Sequence, residues 1–136
     1  MILFGELNIH ETNYGLGRLL MEFTISKDYF NEALSDVSRA VTTKSLLPIL
    51  TGIKLVAKED CLILIGSNSN IAIEKIIPLE MNGIRILNID ETGSAVLPAK
   101  YLCEVVEELS DDIHIKVTGN NVAKIQSDEV MVYLNG

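Results

Sequence analysis

Residues that could do chemistry are few in this sequence, and their spacing does not bring them together. His114 stands between two isoleucines in an alternating run, so as a strand residue it points away from those apolar neighbours. The pattern favours a surface or edge histidine over a general base. Cys61 and Cys103 have no histidine near them in the sequence, and an unpaired cysteine more often packs as a small hydrophobic residue than acts as a nucleophile.

Motifs that bind metals or phosphates are incomplete. The acidic pairs Asp111-Asp112 and Asp128-Glu129 lie in turn sequences and lack the alternating spacing of a calcium loop. The Gly15-Leu16-Gly17 segment lacks the third glycine, the preceding strand and the following Lys-Ser/Thr of a phosphate-binding loop. We therefore expect no catalytic residue, metal or cofactor. An enzyme that depends on His114 is the least favoured alternative.

The length and composition are typical of one folded, acidic domain. The 136 residues hold 11 Lys and Arg against 19 Asp and Glu, which gives a net charge of −8. With 48% hydrophobic and 22% charged residues the chain can bury a core, so disorder is excluded as the default. No unbroken apolar run exceeds five residues, far short of the roughly 20 that a membrane-spanning helix needs. Two cysteines without a disulfide pattern fit a reducing compartment, and we expect a cytoplasmic protein.

The first 20 residues show no clean period and carry no signal or transit pattern. Met21 then opens the segment MEFTI, whose alternation is typical of a half-buried strand. We expect residues 1–20 to be an upstream extension, disordered or non-native, and the domain to occupy residues 21–136. A tail that binds a partner is the alternative.

Two amphipathic helices stand out, each following a strand and preceding three more. The first follows Ser26 and has apolar residues at helical spacing. The second follows Pro98, in a position where proline favours a helix start. The apolar stripes are Phe30, Ala33, Leu34, Val37, Ala40 and Val41 in the first helix and Leu102, Val105, Val106 and Leu109 in the second.

Three β-rich runs separated by turn residues follow each helix. They are Ile49–Ala57, Cys61–Ile65 and Ile71–Ile77 after the first, and Ile113–Thr118, Val122–Gln126 and Val130–Leu134 after the second. Short strands are also predicted at Ile84–Ile89 and Ser94–Leu97. The order βαβββ thus occurs twice, which predicts an α+β domain with two helices packed on antiparallel sheets.

Four segments, in this order and at these distances, resemble one protein family. They are Ser45-Leu46-Leu47-Pro48-Ile49-Leu50-Thr51-Gly52-Ile53, Gly66-Ser67-Asn68, Val96-Leu97-Pro98-Ala99-Lys100 and Val132-Tyr133-Leu134-Asn135-Gly136. Together, on the doubled βαβββ pattern, they resemble the first domain of the DNA polymerase III beta subunits, the bacterial sliding clamps. The likeness runs from Met21 to Gly136 and implies the DNA clamp fold, in which each domain has two such halves.

The resemblance implies a non-catalytic processivity factor for DNA replication. A clamp encircles duplex DNA without sequence specificity and tethers the replicative polymerase. Because of this complex, the family is sometimes classed with the DNA-directed DNA polymerases. The family uses three domains, so this chain looks truncated. DNA polymerase III and the clamp loader would bind through domains absent here. The alternative is a clamp-like interaction module that binds a full clamp subunit and blocks ring closure.

The resemblance also assigns contact residues. A basic residue just before the Leu-Pro-Ile-Leu stretch contacts DNA in the family and corresponds to Lys44, while the basic residue after Pro-Ala corresponds to Lys100. Helical periodicity adds Lys27 and Arg39 on or beside the polar face of the first helix. For all four, ordinary solvent-exposed charges are the alternative. The acidic second helix predicts very weak DNA binding.

The last strand is the expected subunit interface. In the family the first domain meets the third domain of the neighbouring subunit, and the strand Val130–Leu134 matches that edge. We expect Val132 and Leu134 to be the exposed apolar contacts. Because alternation alone does not say which face is buried, a place in the core is equally compatible with the pattern.

Overall fold

Two helices and eleven strands make up the described part of the chain, residues 18–41 and 51–136 of a computed structural model. The helices are α1 (Lys27–Ser38) and α2 (Ala99–Glu108). The strands are β1 (Leu19–Ile25), β2 (Gly52–Ala57), β3 (Cys61–Ser67), β4 (Ala72–Pro78), β5 (Glu80–Met81), β6 (Ile84–Arg85), β7 (Leu87–Glu91), β8 (Gly93–Pro98), β9 (Ile113–Thr118), β10 (Val122–Ser127) and β11 (Val130–Asn135). Neither helix has the length and apolarity to span a bilayer.

The two halves of the chain exchange their first strands. One sheet has the order β11-β10-β9-β1-β7 and the other β4-β3-β2-β8, with β5 and β6 forming a separate hairpin. The strand before each helix therefore pairs with the other half, β1 with β9 and β8 with β2, both antiparallel. The predicted α+β class and doubled βαβββ order are confirmed. The exchange ties both halves into one unit around a shared core.

The core lies where the apolar faces of both helices meet the inner faces of the sheets. Periodicity correctly predicted the buried side of α1, since Phe30, Leu34 and Val37 are fully or almost fully buried. The Phe30 ring meets that of Phe23 on β1 edge to face, with 5.9 Å between centroids and 80° between planes. On α2 the buried residues are Ala99, Leu102 and Val106.

Most strand boundaries differ from the predictions by one or two residues, and two of the differences have a clear structural cause. β1 begins at Leu19, two residues before Met21, and its Leu20 carbonyl lies so close to Gly93 that a Cβ there would be 1.7 Å from the oxygen. Residues 19 and 20 therefore belong to the folded domain, while residues 1–17 lie outside the described ranges. The strand predicted at Ile84–Ile89 is split into β6 and β7, because the amides of Ile86 and Leu87 both donate to the Leu79 carbonyl.

Candidate nucleic-acid interface

The two helices contact each other and run in opposite directions. Lys27, at the start of α1, donates from Nζ to the Glu107 carbonyl near the end of α2 at 3.1 Å. Ser38, at the end of α1, hydrogen-bonds Cys103 earlier in α2. The polar side of α1 is therefore partly covered, and Lys27, Asn31 and Ser38 are half-buried. Amphipathic periodicity located this face but gave no sign that a second helix packs beside it.

Three of the four predicted DNA-contact residues are described, and they lie at the ends of the helix pair. Lys100 is exposed in the first turn of α2, and Arg39 caps the end of α1. The antiparallel packing places these two at one end and Lys27 at the other, about 18 Å away along α1 at about 1.5 Å per residue. Lys44 lies outside the described residues.

Arg39 is the more available of the two basic residues on α1. Its guanidinium side chain is 75% exposed and lies 3.8 Å from Asp36, a long ion pair. Asp36 also accepts a shorter hydrogen bond, 3.1 Å, from Lys75 on β4. Because Asp36 already has this closer cation, and because exposed pairs are worth little, Arg39 keeps its capacity to contact a phosphate. Lys27 instead has its ammonium against a carbonyl at a helix C-terminus, where a cation is favoured.

Carboxylates outnumber lysines on both helices. α1 and α2 each contain one lysine and three acidic residues. On α2 the acidic residues are Glu104, Glu107 and Glu108, all exposed, and Glu104 and Glu108 share a face at i, i+4. Such a surface repels phosphates between its basic ends. The helix pair is suited to sparse, weak contacts with a polyanion and not to tight binding.

β11 is an edge strand with apolar side chains on both faces. Among the strands of residues 18–41 and 51–136 it pairs with β10 alone. Val132 and Leu134 are half-buried and pack against the core, so they are less exposed than expected, and their place in a subunit contact stays a prediction. The register gives the reason: they stand opposite Ile125 and Ala123, both fully buried, and cross-strand partners share a face. The exposed apolar residues of β11 are Val130, Met131 and Tyr133.

The residues first considered for catalysis occupy ordinary structural positions. Burial raises the pKa of the Cys103 thiol, which Glu107 and Glu104 raise further and the Ser38 hydrogen bond lowers in part. Burial and the neighbouring Asp60 likewise raise the pKa of Cys61. Both thiols are therefore poor nucleophiles at neutral pH. His114 lies on β9 inside a sheet, and its Nε2 is 2.6 Å from Oε2 of Glu22 on β1, a partner that sequence reasoning missed.

This arrangement of sheets and helices is that of a bacterial sliding-clamp domain. Over 86% of this chain, the DNA polymerase sliding clamp of Bacillus subtilis superposes with a TM-score of 0.83 at 40% identity. The DNA polymerase III beta chain of Streptococcus pneumoniae superposes over 86% with a TM-score of 0.81 at 31% identity. Among curated proteins, the beta sliding clamp of Staphylococcus epidermidis is 48% identical over 90 residues, 66% of this chain.

The family assignment follows from the sequence as well. Residues 21–135 match the family described as DNA polymerase III beta subunit, N-terminal domain, and the chain belongs to this family. The resemblance inferred from the four sequence segments is thus confirmed. The chain spans 24% of the length of the Staphylococcus epidermidis clamp and 31% of the Bacillus subtilis and Streptococcus pneumoniae chains.

Proposed function

We propose that this chain works as the first domain of a ring-shaped sliding clamp, which encircles duplex DNA and tethers the replicative polymerase. The observation that carries the proposal is the family match over residues 21–135, supported by the clamp-like fold. The role is that of a cytoplasmic, non-catalytic processivity factor. The raised thiol pKa values support this, since they disfavour a cysteine nucleophile.

The DNA contacts proposed are Lys100 and Arg39 at one end of the helix pair, Lys27 at the other, and Lys44. The exposure of Lys100 and Arg39 supports their part in this set. Because each helix carries three carboxylates, affinity for duplex should be very weak and fall further with salt. Topological linkage, not affinity, would then keep a clamp on DNA. A clamp that slides along the duplex needs weak contacts of this kind, because tight contacts would hold it at one place.

The contact with another clamp subunit is proposed at β11. No strand in the described part of the chain pairs with its outer edge, so backbone groups there are available for strand addition, and Val130, Met131 and Tyr133 offer exposed apolar area. Val132 and Leu134, half-buried on the other face of the strand, are proposed as further apolar contacts at this edge, and they also hold the strand on the core. The polymerase and clamp loader would bind other domains of a full clamp.

The exposed edge of β11 also favours a second function. A single domain with a free edge of this kind could bind a full clamp subunit and block ring closure. In both functions β11 contacts a clamp subunit, but only the first requires covalent continuity with further domains. Retention on DNA therefore separates the two.

Size-exclusion chromatography with the Bacillus subtilis clamp tests the shared contact. We expect co-elution at micromolar concentrations, lost on Tyr133→Asp and retained on Ile76→Asp, a matched exposed position on β4. Loading by a clamp loader onto primed circular DNA separates the functions. We expect no loading of this chain alone, and efficient loading would contradict its assignment as one domain of a larger ring. Inhibition of loading of the full clamp by this chain would support the blocking function.

A further inference from the structure

Three side chains with metal-ligating atoms converge on the outer face of the five-stranded sheet. Glu22 on β1, Asp90 on β7 and His114 on β9 each offer one ligand atom, and these atoms all lie within 4.8 Å of one another. They come from three neighbouring strands, whose pairing sets the spacing of the backbone that carries them. Glu22 and His114 are half-buried and Asp90 is exposed. We call this set the β1–β7–β9 cluster.

The donor set suits a transition-metal ion better than an alkaline-earth ion. One imidazole nitrogen and two carboxylate oxygens are ligands that Zn²⁺ accepts, with water in the fourth position. Mg²⁺ and Ca²⁺ prefer all-oxygen shells. Tetrahedral bonds of about 2.0–2.1 Å separate ligand atoms by about 3.3 Å. The cluster meets that spacing if the 2.6 Å contact between His114 Nε2 and Glu22 Oε2 opens and the Asp90 carboxylate moves inward.

Neighbouring side chains already orient one of the ligands. Asn88 donates from Nδ2 to Oδ1 of Asp90 at 3.0 Å, and Arg85 donates to Asn88 Oδ1 at 3.3 Å. Outer hydrogen bonds of this kind hold a ligand carboxylate in place. Lys116 acts against a metal, since it stands opposite Glu22 in the β1–β9 register and its positive charge repels a cation on that face.

We propose that the β1–β7–β9 cluster binds a divalent transition metal, with Zn²⁺ as the test ion, through Glu22, Asp90 and His114. The bound ion links the edge strand β7 to β1 and β9, because one ligand comes from each strand. It therefore stabilises the outer face of this sheet. The site is independent of the helix pair and of the proposed role on DNA.

Calorimetric titration of the full 136-residue chain with Zn²⁺ tests the site. We expect saturable binding with 1:1 stoichiometry, at least 100-fold tighter than for Mg²⁺, and melting about 5 °C higher at a Zn²⁺ concentration ten times the dissociation constant. His114→Gln and Asp90→Asn should each weaken binding at least tenfold. Lys116→Gln should strengthen it, an effect that a merely destabilising substitution would not produce.

Matched controls exclude other ligands. Glu91→Gln makes nearly the same charge change one residue from Asp90 and should leave Zn²⁺ binding unchanged. His10→Gln removes the other histidine of the chain, and a Cys61→Ser, Cys103→Ser background removes the thiols. Because Asp90 is exposed, Asp90→Asn should fold normally, which circular dichroism verifies.

Amide NMR shifts locate the ion. Zn²⁺-dependent shifts at Glu22, Asp90 and His114 that vanish in Asp90→Asn would support the proposal. Failure to saturate below about 1 mM, equal affinity for Zn²⁺ and Mg²⁺, or binding lost on His10→Gln or in the serine background would overturn it.

Discussion

Val132 on β11 stands directly opposite Ile125 on β10, and the pair lies on the core side of the sheet. Ile125 is fully buried and Val132 is half-buried, because β11 is the edge strand. The next residue, Tyr133, stands opposite Lys124 and is 64% exposed. The two faces of β11 therefore differ: the Val132 side packs on the core of its own domain, and the Tyr133 side is exposed.

This separation predicts different costs for one kind of substitution on neighbouring residues. Val132→Asp places a carboxylate on the core side and should lower the free energy of unfolding by about 2–3 kcal/mol. Tyr133→Asp should change it by less than about 0.5 kcal/mol, since an exposed surface position tolerates charge. Urea denaturation followed by circular dichroism measures both. Equal costs would contradict the register of β10 and β11.

The buried side of β11 could not be predicted from the sequence. The run VMVYL is apolar throughout, so alternation does not mark its inner side. On β10 the apolar Ala123 and Ile125 alternate with Lys124 and Gln126, which marks the inner face, and the side of β11 follows only once the register is known. In α1, by contrast, a single periodic stripe sufficed to predict the buried residues.

Long-range pairing was the other part that the sequence did not reveal. The exchange of β1 and β8 depends on contacts between segments far apart in the chain, which local pattern does not encode. The same holds for His114 and Glu22, which are 92 residues apart. Among the candidate contact residues, periodicity placed Lys27 on α1 but did not predict its bond to α2.

The close approach of α1 to β3 makes Gly66 sensitive to substitution. A Cβ at Gly66 would lie 2.2 Å from the Val37 carbonyl oxygen, a backbone atom with little room to move. Gly66→Ala should therefore cost about 2–4 kcal/mol of unfolding free energy. Gly83, in the β5–β6 turn, has φ of +79° and open space around it, so Gly83→Ala should cost only about 1 kcal/mol. If Gly66→Ala is as mild as Gly83→Ala in thermal denaturation, this packing of α1 on β3 is incorrect.

The core contact between Phe30 and Phe23 predicts a large effect of truncation. Phe30→Ala removes a fully buried ring and its edge-to-face contact with Phe23, so it should lower the free energy of unfolding by about 3–5 kcal/mol. Tyr101→Ala on α2 is the control, because that ring is 55% exposed and its loss should cost less than about 1 kcal/mol. Denaturant midpoints compared at constant slope give both values. A small effect of Phe30→Ala would contradict the packing of α1 against the core.

The raised thiol pKa values predict slow cysteine alkylation at neutral pH. Burial raises the pKa of Cys103 and of Cys61 above the ordinary value of 9.0, so the reactive thiolate is scarce at pH 7. As the pH is increased, the labelling rate should still be rising at pH 9, whereas for a thiol of lower pKa it would already have levelled off. The pKa of each thiol is higher in the folded protein than in the unfolded one. The resulting contribution to the free energy of unfolding is therefore fully present below pH 9 and is lost as the pH rises further. Mass spectrometry of iodoacetamide-treated protein tests this, and rapid labelling at pH 7 would contradict it.

A chimaeric clamp tests the central claim most directly. Residues 18–136 of this chain replace the first domain of the Bacillus subtilis clamp, and retention on primed circular DNA is measured after loading. We expect the chimaera to form closed rings, to stay on circular DNA and to slide off after linearisation, and Tyr133→Asp should abolish retention by preventing ring closure. A folded chimaera that is never retained on circular DNA would contradict the assignment of this chain as a sliding-clamp domain.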